Sequence, residues 1–544
     1  MAEFWSWNKF GESYSCPVAS SVAHTYGKKI VGAEAFTARR DERWLGHPAF
    51  IKDIGDWAFC EGINRFAFHR FAAQRFENMP PGIGMGFWGL HYERTQTWWE
   101  QTKPWHEYLA RCQYLLRQGL FVADVLYLQP EGAPRRFEPP ADAYAAPNIR
   151  GGYNFDGCNN DVLLNRLSVK DGKFVLPDGM SYRVLVVPPV QTMTPRVLRK
   201  LKEFADQGAT IIADVKPPVK SPSLADLGEG DETVKKLAAE LWLKLVTGKT
   251  AAQLLGERGI KPDFSAKPLL RYIHRATADT DLYFVANPEP SAVDAVAEFR
   301  VAGRQPELWW PDSGRTELAK DFEMKDGITR VPLRLDPSGS VFVVFRQATK
   351  ATGGTGKNWV ETTTVQEIAG PWEVTFDPKW GGPAKPVTFD KLQDWSKRPE
   401  EGVKYYSGHA TYRTKFQGKK GNCILDLGKV AVMADVTLNG KPLGILWKTP
   451  YRVNVSDALQ DGENTLEVKV VNLWINRMIG DEQLPEDSAR HPVGGTLIAW
   501  PQWLLDGKPS PSGRFTFCTT RLWKKDDPLV ESGLLGPVKL EGVK

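Results

Sequence analysis

The sequence predicts a multidomain protein of the α/β plus β class: the last three units of a partial (β/α)8 barrel, a doubly wound α/β domain, a β-sandwich and a C-terminal jelly roll. Apolar strands alternate with helices of 3.6-residue period, and further on only short alternating strands remain. The chain has 544 residues, 42% hydrophobic and 25% charged, which exceeds what one core supports. The predicted boundaries are 1–118 for the partial barrel, 119–262 for the α/β domain, 263–348 for the sandwich, 349–365 for a linker and 366–544 for the jelly roll.

The N-terminal segment has the order strand, helix, strand, helix, strand, helix. The apolar stretches AEFWSW, KKIVGAEAF and INRFAFHRF predict the strands, and glycine ends two of the intervening helical stretches. This order is typical of parallel strands with crossover helices, whose strands are buried on both faces. The predicted strands are Ala2–Trp7, Lys28–Phe36 and Ile63–Phe71, and the predicted helices are Pro17–Gly27, His47–Gly62 and Pro104–Gln118.

One carboxylate interrupts the second of these strands. Glu34 stands near its C-terminal end, and Glu3 and His69 take comparable places on the neighbouring strands. In (β/α)8 barrels the active site forms at that end, and an unpaired carboxylate in apolar surroundings is costly. Glu34 is therefore either a paired structural ion or part of a polar cavity shared by all three side chains. If they share a cavity, we expect the Glu34 carboxylate within about 12 Å of His69, since neighbouring strands are about 4.8 Å apart.

Only three strand–helix units precede the change of pattern near residue 119. A complete barrel needs eight units and about 250 residues, and three parallel strands alone leave an unpaired edge. We therefore expect the chain to be the C-terminal portion of a longer protein whose first strands lie upstream of Met1.

A glycine- and aromatic-rich loop follows the third strand, in the stretch PPGIGMGFWGLHYERTQTWWE. Its glycines are not preceded by a strand and no Gly-Lys-Ser/Thr follows, which argues against phosphate binding. We predict instead that Trp88, His91 and Glu93 lie over the cavity mouth, where they either contact a sugar or anchor the loop. Eight of the twenty tryptophans and five of the eight histidines fall within the first 106 residues, and such side chains suit sugar faces and hydroxyls.

Composition excludes several classes of partner. The 70 basic and 65 acidic residues leave a net charge of +5 without a basic stripe, so nucleic acid is not expected. No apolar run approaches the roughly 18 residues of a membrane span, and the N-terminus has no signal-peptide pattern. Either the protein is cytoplasmic or its true start is missing. The six cysteines lie far apart and are expected to be buried thiols: Cys16, Cys60, Cys112, Cys158, Cys423 and Cys518.

The remaining domains are predicted from their strand patterns. Leu120–Gln129, Tyr182–Pro189 and Ala209–Asp214 are the strands of the α/β domain, with a helix in PRVLRKLKEFADQG. The stretch NFDGCNND around Cys158 is reminiscent of thiol amidotransferase-like folds, but no matching Cys–His pair is legible. Runs such as DLYFVAN and SVFVVFR predict the sandwich, ATKATGGTGKN predicts the linker, and an Asn439-Gly440 hairpin turn belongs to the jelly roll.

Several long motifs resemble the α-L-rhamnosidases of glycoside hydrolase family 106. They are AHTYGKKIVGAEAFT, GDWAFCEGINRFAFHRFAAQ, GMGFWGLHYERTQTWWE, YLARCQYLLRQG, NLWINRMIGDE and SGLLGPVKL. The resemblance covers almost the whole chain, as the C-terminal half of the family chain. It implies a barrel hydrolase that works by inversion with Glu34 as general base, a noncatalytic α/β domain, a galactose-binding-like jelly roll that binds sugar or braces the barrel, and secreted or periplasmic export. It also associates calcium with sugar binding, without locating a site.

The functional expectation is an α-L-rhamnosidase-like hydrolase that removes a terminal sugar from plant or microbial glycans. Glu34 is the expected catalytic residue, and its general acid would lie upstream, so we expect no measurable hydrolysis of natural rhamnosides by this chain alone. The alternative is a noncatalytic carbohydrate-binding protein with a remnant barrel. The partner is a carbohydrate rather than nucleic acid or membrane, and the oligomeric state is open. The expected substrate-binding residues are Glu3, His69, Trp88, His91 and Glu93.

Overall fold

The structure, a computed structural model, shows a multidomain, mostly β protein. The two larger parallel sheets lie in the first half of the chain, and antiparallel sheets make up most of the second half. The multidomain character predicted from the sequence is confirmed in this coarse form. The described residues are 1–5, 15–39, 42–76, 78–84, 86, 88, 90–132, 137–213, 215–226, 228–493 and 495–544.

The N-terminal unit is a three-stranded parallel sheet with helices packed on one face. Its order in space is β1 (Ala2–Trp5), β2 (Gly32–Thr37), β3 (Arg65–Phe68). The helices are α1 (Ser15–Thr25), α2 (Pro48–Cys60) and α3 (Lys103–Leu115). This is the predicted order of elements, although the predicted end of the first strand, at residues 6–7, lies outside the described residues. That the sheet belongs to a barrel stays a prediction.

The second strand begins later than the sequence pattern predicts. Helix α1 ends in a turn in which the N–H groups of Gly27 and Lys28 donate to the carbonyls of His24 and Ala23, at 3.1 and 2.7 Å. Gly27 takes a φ of 69°, which favours glycine. This turn uses the lysines that the apolar pattern had assigned to the strand, so β2 starts at Gly32.

The α/β domain contains a four-stranded parallel sheet. Its strand order is Thr210–Ile212, Val184–Val186, Val125–Leu128, Phe155–Cys158. The predicted strand Leu120–Gln129 is wrong as one element, because Leu120–Phe121 pairs instead with Arg271–Ala276 of the sandwich. The other elements of residues 141–257 are the helices Ala141–Ala143, Val162–Arg166, Pro195–Asp206, Leu224–Asp226, Gly230–Trp242 and Ala251–Glu257 and the strands Tyr144–Ala146, Ile149–Arg150, Ser168–Lys170, Lys173–Val175 and Ser181–Tyr182.

A buried ion pair and a buried hydrogen bond join the N-terminal unit to the α/β domain. Arg150 Nη2 lies 2.8 Å from Glu61 Oε2, and His24 Nδ1 lies 3.0 Å from Asp156 Oδ1. All four side chains are almost fully removed from solvent. Breaking the Glu61–Arg150 pair would cost about 3–5 kcal/mol, because the remaining charge would have no partner.

The sandwich is built from a five-stranded and a six-stranded antiparallel sheet. Between them His274 is buried, with Nδ1 3.0 Å from Asp263 and Nε2 3.0 Å from Asp281. Burial alone would lower the pKa of His274, but the two carboxylates outweigh it and raise that pKa to about 8. The strands are Phe264–Lys267, Val293–Phe299, Ile328–Leu335, Phe322–Lys325 and Gly353–Gly354 in one sheet, and Thr316–Leu318, Arg304–Trp309, Ser340–Ala348, Asp281–Ala286, Arg271–Ala276 and Leu120–Phe121 in the other.

Residues of the predicted linker contact the sandwich. Gly353–Gly354 adds an edge strand to the sandwich, and the Asn358 side chain accepts from the N–H groups of Lys320 and Asp321. Its amide also donates to the carbonyls of Asp321 and Pro332. These bonds attach the stretch to the sandwich, and its assignment as a linker stays a prediction.

The C-terminal module consists of antiparallel sheets, in agreement with the strands predicted for a jelly roll. The Asn439-Gly440 turn joins two paired strands with φ values of 53° and 76°. The strands are Thr362–Glu367, Lys539–Val543, Cys423–Asp426 and Arg452–Asn454 in one sheet; Val387–Phe389, Trp372–Phe376, His409–Gly418, Gly462–Val471, Met433–Leu438 and Lys441–Leu446 in the next; and the pair Lys429–Ala431 with Gly533–Gly536. The helices are Pro378–Trp380, Trp395–Lys397, Glu401–Lys404, Ile475–Asp481 and Gln502–Leu505.

The six cysteines are free and buried, as predicted. Burial raises the pKa of the Cys158 thiol, which disfavours the reactive thiolate form. None of the described helices combines the length and the apolar character that crossing a bilayer requires.

Candidate active site

Glu34 lies on the open face of the parallel sheet. It pairs in register with Glu3 of β1 and with Ala67 of β3, so these side chains point to the same side. The opposite face carries Phe4 and Phe66, whose rings contact each other at 5.3 Å beneath the helices. The side chain of Glu34 is 34% exposed, and the sheet therefore presents its carboxylate to solvent rather than to the core.

A β-bulge at the end of β2 fixes the orientation of Glu34. The register between β1 and β2 shifts after Glu34, and both Ala35 and Phe36 are buried on the core face, with Phe36 at a φ of 64°. The extra residue inverts the alternation of side chains, so Thr37 returns to the face of Glu34. Its hydroxyl donates to Glu34 Oε1 at 2.7 Å. Bulges often redirect a side chain in this way beside active sites.

His69 lies directly beside this carboxylate. Its Nδ1 is 3.9 Å from Glu34 Oε1, well inside the 12 Å expected from the strand spacing. This distance is too long for a direct hydrogen bond, and Nδ1 has no hydrogen-bond partner among the residues that the structure describes. The backbone holds His69 in place: its N–H donates to Ala35 at 2.9 Å and its carbonyl accepts from Leu90 at 2.9 Å.

Glu3 supplies a second exposed carboxylate one strand away from Glu34. Its N–H donates to the Ser15 hydroxyl at 2.9 Å, and that hydroxyl donates back to the Glu3 carbonyl at 2.8 Å. The start of helix α1 thus fixes the backbone of Glu3. The structure brings Glu3, Glu34 and His69 together on one face, while the chemical role of each stays a prediction.

His91 belongs to the glycine- and aromatic-rich loop, called the rim loop from here on, and protein groups hold its side chain in place. Its ring stacks on Trp44 with centroids 3.8 Å apart, and its Nδ1 lies 2.8 Å from Glu42 Oε2. Glu42 also accepts from the N–H groups of Trp44 and Gly46 at 2.9 and 3.0 Å. A Cβ at Gly84 would lie 3.3 Å from His91 Nε2, so a larger residue there would crowd the ring. These contacts favour loop anchoring over sugar contact for His91.

Glu93 is buried in the same loop, whereas Trp88 is exposed. Glu93 Oε1 accepts from Gln74 at 2.9 Å and from the Thr95 hydroxyl. Burial raises the pKa of Glu93, mainly by removing it from water. Trp88 is 54% exposed. Of the three predicted rim residues, only Trp88 lies open to solvent, and sugar contact by the other two stays a prediction.

The C-terminal module braces the loops that follow β2 and β3. Trp474 Nε1 donates to the Thr95 carbonyl at 2.8 Å, and the Thr97 hydroxyl donates to the Asn472 carbonyl. The motif NLWINRMIGDE therefore forms hydrogen bonds with the loop that carries Glu93.

A second contact of the module reaches the loop after Glu34. Arg43 Nη2 lies 2.6 Å from Asp527 Oδ2, and the Arg43 guanidinium lies 3.7 Å above the Trp523 ring. Trp523 Nε1 donates to the Arg43 carbonyl at 2.8 Å. Sequence reasoning missed this contact and also Thr37 and Glu42. Nothing local in the sequence marks the bulge or pairs residues so far apart.

The described side chains alone supply no metal site. Among them, no group of three or more His, Cys, Asp or Glu residues converges as a metal ion would require.

The sequence model of one enzyme family covers this site. The model of α-L-rhamnosidase, glycoside hydrolase family 106, matches residues 1–323, more than half of the chain. The chain belongs to this α-L-rhamnosidase family. A model of the galactose-binding-like domain of glycoside hydrolase family 2 matches residues 394–495, inside the C-terminal module of this family member. Both confirm the resemblance seen in the sequence motifs.

Two relatives of this α-L-rhamnosidase family member are described as glycosidases with different sugar names. A rhamnosidase structure from Novosphingobium sp. PP1Y matches with a TM-score of 0.86 and 31% identity, over 99% of this chain and 51% of that one. A curated protein of Formosa agariphila, described as a putative beta-glucuronidase, is 29% identical over 99% of this chain and 65% of its own length. The chain thus spans about half to two thirds of the length of these relatives.

Proposed function

We propose that the protein acts as an α-L-rhamnosidase-like hydrolase that releases a terminal sugar by inversion, with Glu34 as the general base. The observation that carries this proposal is the exposed Glu34 carboxylate, oriented by Thr37 on the open face of a parallel sheet. This face lies within residues 1–323, which match the glycosidase family. Solvent access and a fixed orientation are what a group needs to take a proton from water.

The neighbouring groups suit the rest of this role. Thr37 occupies Oε1 of Glu34, which leaves Oε2 to accept a proton from the attacking water. We assign the binding of sugar hydroxyls to His69 and Glu3, and the binding of a ring face to the exposed Trp88. Inversion requires acid and base carboxyl groups about 6.5–9.5 Å apart, and in-register neighbours on strands about 4.8 Å apart favour a closer spacing. We therefore assign Glu3 to substrate binding and not to the acid.

The substrate and its setting are part of the proposal. The two relatives carry different sugar names, so the glycone needs direct testing. We favour a terminal rhamnosyl unit of a plant or microbial glycan, and export to the periplasm or the medium, where such polymers are degraded. Calcium bound together with substrate hydroxyls also belongs to the proposal and needs a titration with and without chelator.

The test compares Glu34→Gln with Glu3→Gln. The substrate is dinitrophenyl α-L-rhamnoside, whose leaving group departs without a proton and so needs the base but not the acid. We expect Glu34→Gln to lower kcat by at least about 100-fold with an unchanged melting temperature, because it keeps shape and removes charge. Glu3→Gln should mainly raise KM.

Two further measurements complete the test, on this chain and on a form extended to the length of the relatives. The anomer first released, observed by NMR, should be inverted; retention would instead point to a closely spaced pair of carboxylates. Near-full turnover by Glu34→Gln, or unfolding of that variant, would show that Glu34 is a structural ion. Binding of oligosaccharides without hydrolysis of rhamnosides or glucuronides by either form would support the noncatalytic alternative.

A further inference from the structure

Two aromatic rings from distant parts of the chain form a ledge, defined here as the exposed Trp500 and the partly buried Phe76. Phe76 lies in the loop after β3, and Trp500 lies in the C-terminal module. Their ring centroids are 5.3 Å apart, and Trp500 keeps 39% of its surface exposed. Exposing so large a ring forgoes the apolar burial that tryptophan usually makes.

The aromatic ledge is rigidly supported from below. Trp500 contacts Phe517 at 6.3 Å, and Phe517 belongs to a small buried core with Met79 and Leu504. Phe517–Cys518 pairs in parallel with Pro81–Gly82, which fastens the module to the loop. These contacts favour one arrangement of the rings, and such preorganisation lowers the entropy cost of binding.

The aromatic ledge includes a residue of the loop that begins at the proposed catalytic site. Its loop leaves the sheet at His69, and the N–H of Leu90 donates to the His69 carbonyl at the other end of the loop. Gln74 closes the loop by bonding both the N–H and the carbonyl of Ile83, at 2.7 and 2.8 Å. Phe76 lies seven residues after His69, so their Cα atoms are at most about 25 Å apart.

We propose that the aromatic ledge binds a pyranose ring of the substrate, on the leaving-group side of the bond that is cleaved. The C–H face of a pyranose packs on an aromatic ring, whereas its hydroxyls stay in water, and a half-exposed indole offers such a surface. The ledge would thus select glycans over small rhamnosides. The C-terminal module then contributes directly to recognition through Trp500.

This inference rests on the proposed function for the position of the cleaved bond, but its test measures binding alone. Titrations would use the Glu34→Gln background, which prevents turnover, and would compare a rhamnose-terminated oligosaccharide with methyl α-L-rhamnoside. We expect Trp500→Ala to raise the Kd of the oligosaccharide roughly 3- to 10-fold, which is the range of an aromatic contact. The Kd of the methyl glycoside should not change.

Control variants separate stacking from a loss of structure. Trp500→Phe should restore most of the affinity, and Leu505→Ala, which removes another exposed apolar side chain of the same module, should have no effect. Unchanged oligosaccharide binding by Trp500→Ala would overturn the inference, as would equal losses for both ligands. A response confined to rhamnosides with a flat aromatic aglycone would show that the pyranose assignment is wrong. If Glu34→Gln kept its activity, only the proposed function would fail, and an inhibitor of turnover would replace it in the titration.

Discussion

Thr37→Val tests whether the bulge of β2 prepares Glu34 for catalysis. Valine keeps the branched shape of the buried threonine and removes only the hydroxyl that donates to Glu34 Oε1 at 2.7 Å. The backbone and the bulge should therefore persist. What is lost is the bond that fixes one oxygen of the carboxylate and supports its ionised form.

The size of the effect follows from the exposure of the carboxylate. A hydrogen bond to a charged group contributes about 1.5–3 kcal/mol when water cannot replace it. Glu34 is 34% exposed, so water compensates in part, and we take about 1–1.4 kcal/mol. At 1.36 kcal/mol per factor of ten, kcat should fall roughly 5- to 10-fold.

Steady-state hydrolysis of dinitrophenyl α-L-rhamnoside is the assay. We expect Thr37→Val to lower kcat with little change in KM, because the Glu34 carboxylate loses the donor that orients it, and Thr37→Ser to behave like the wild type. A purely structural role would lower the melting temperature of the valine variant and leave kcat unchanged. Unchanged kcat in a folded Thr37→Val variant would refute the link between the bulge and catalysis.

Two further predictions concern stability. The pKa of His274 is raised to about 8 from 6.5, so its contribution to the free energy of unfolding is complete below pH 6.5 and is lost as pH rises through 8, by about 2 kcal/mol. The melting temperature should therefore fall between pH 6 and pH 9, and His274→Gln should make this fall smaller. An equal fall in both proteins would contradict the prediction. A double-mutant cycle of Arg43→Ala and Asp527→Ala, measured by chemical unfolding, should give a coupling free energy of about 0.5–1 kcal/mol, because the ion pair is partly exposed. Asp526→Ala is the control, and it should show no coupling to either residue.

Periodicity and turn chemistry made much of the fold predictable from the sequence. The strand–helix order of the N-terminal unit follows from runs of apolar residues and from glycine at helix ends. The Asn439-Gly440 turn follows from the positive φ that both residues accept. The meeting of Glu34 with His69 follows from their equivalent places on neighbouring parallel strands. These features depend on residues close in sequence or on one simple rule of sheet geometry.

Features that depend on distant residues could not be predicted. The strand Leu120–Phe121 pairs with Arg271–Ala276, about 150 residues away, and no local pattern separates it from the strand that follows. The bulge that recruits Thr37 is a one-residue change of register, invisible in an apolar run. His91 and Trp88 look alike as rim residues in the sequence, yet Glu42 and the Trp44 ring bury only His91.

The buried pairs between Glu61 and Arg150 and between His24 and Asp156 bear on how this protein evolves. A recombination event that joined the N-terminal unit to a foreign α/β domain would leave Glu61 and His24 buried without their partners. A workable exchange must import a matching arginine and aspartate in the same geometry. We therefore expect the two domains to be exchanged only as one unit, and the family match over residues 1–323 includes both of them.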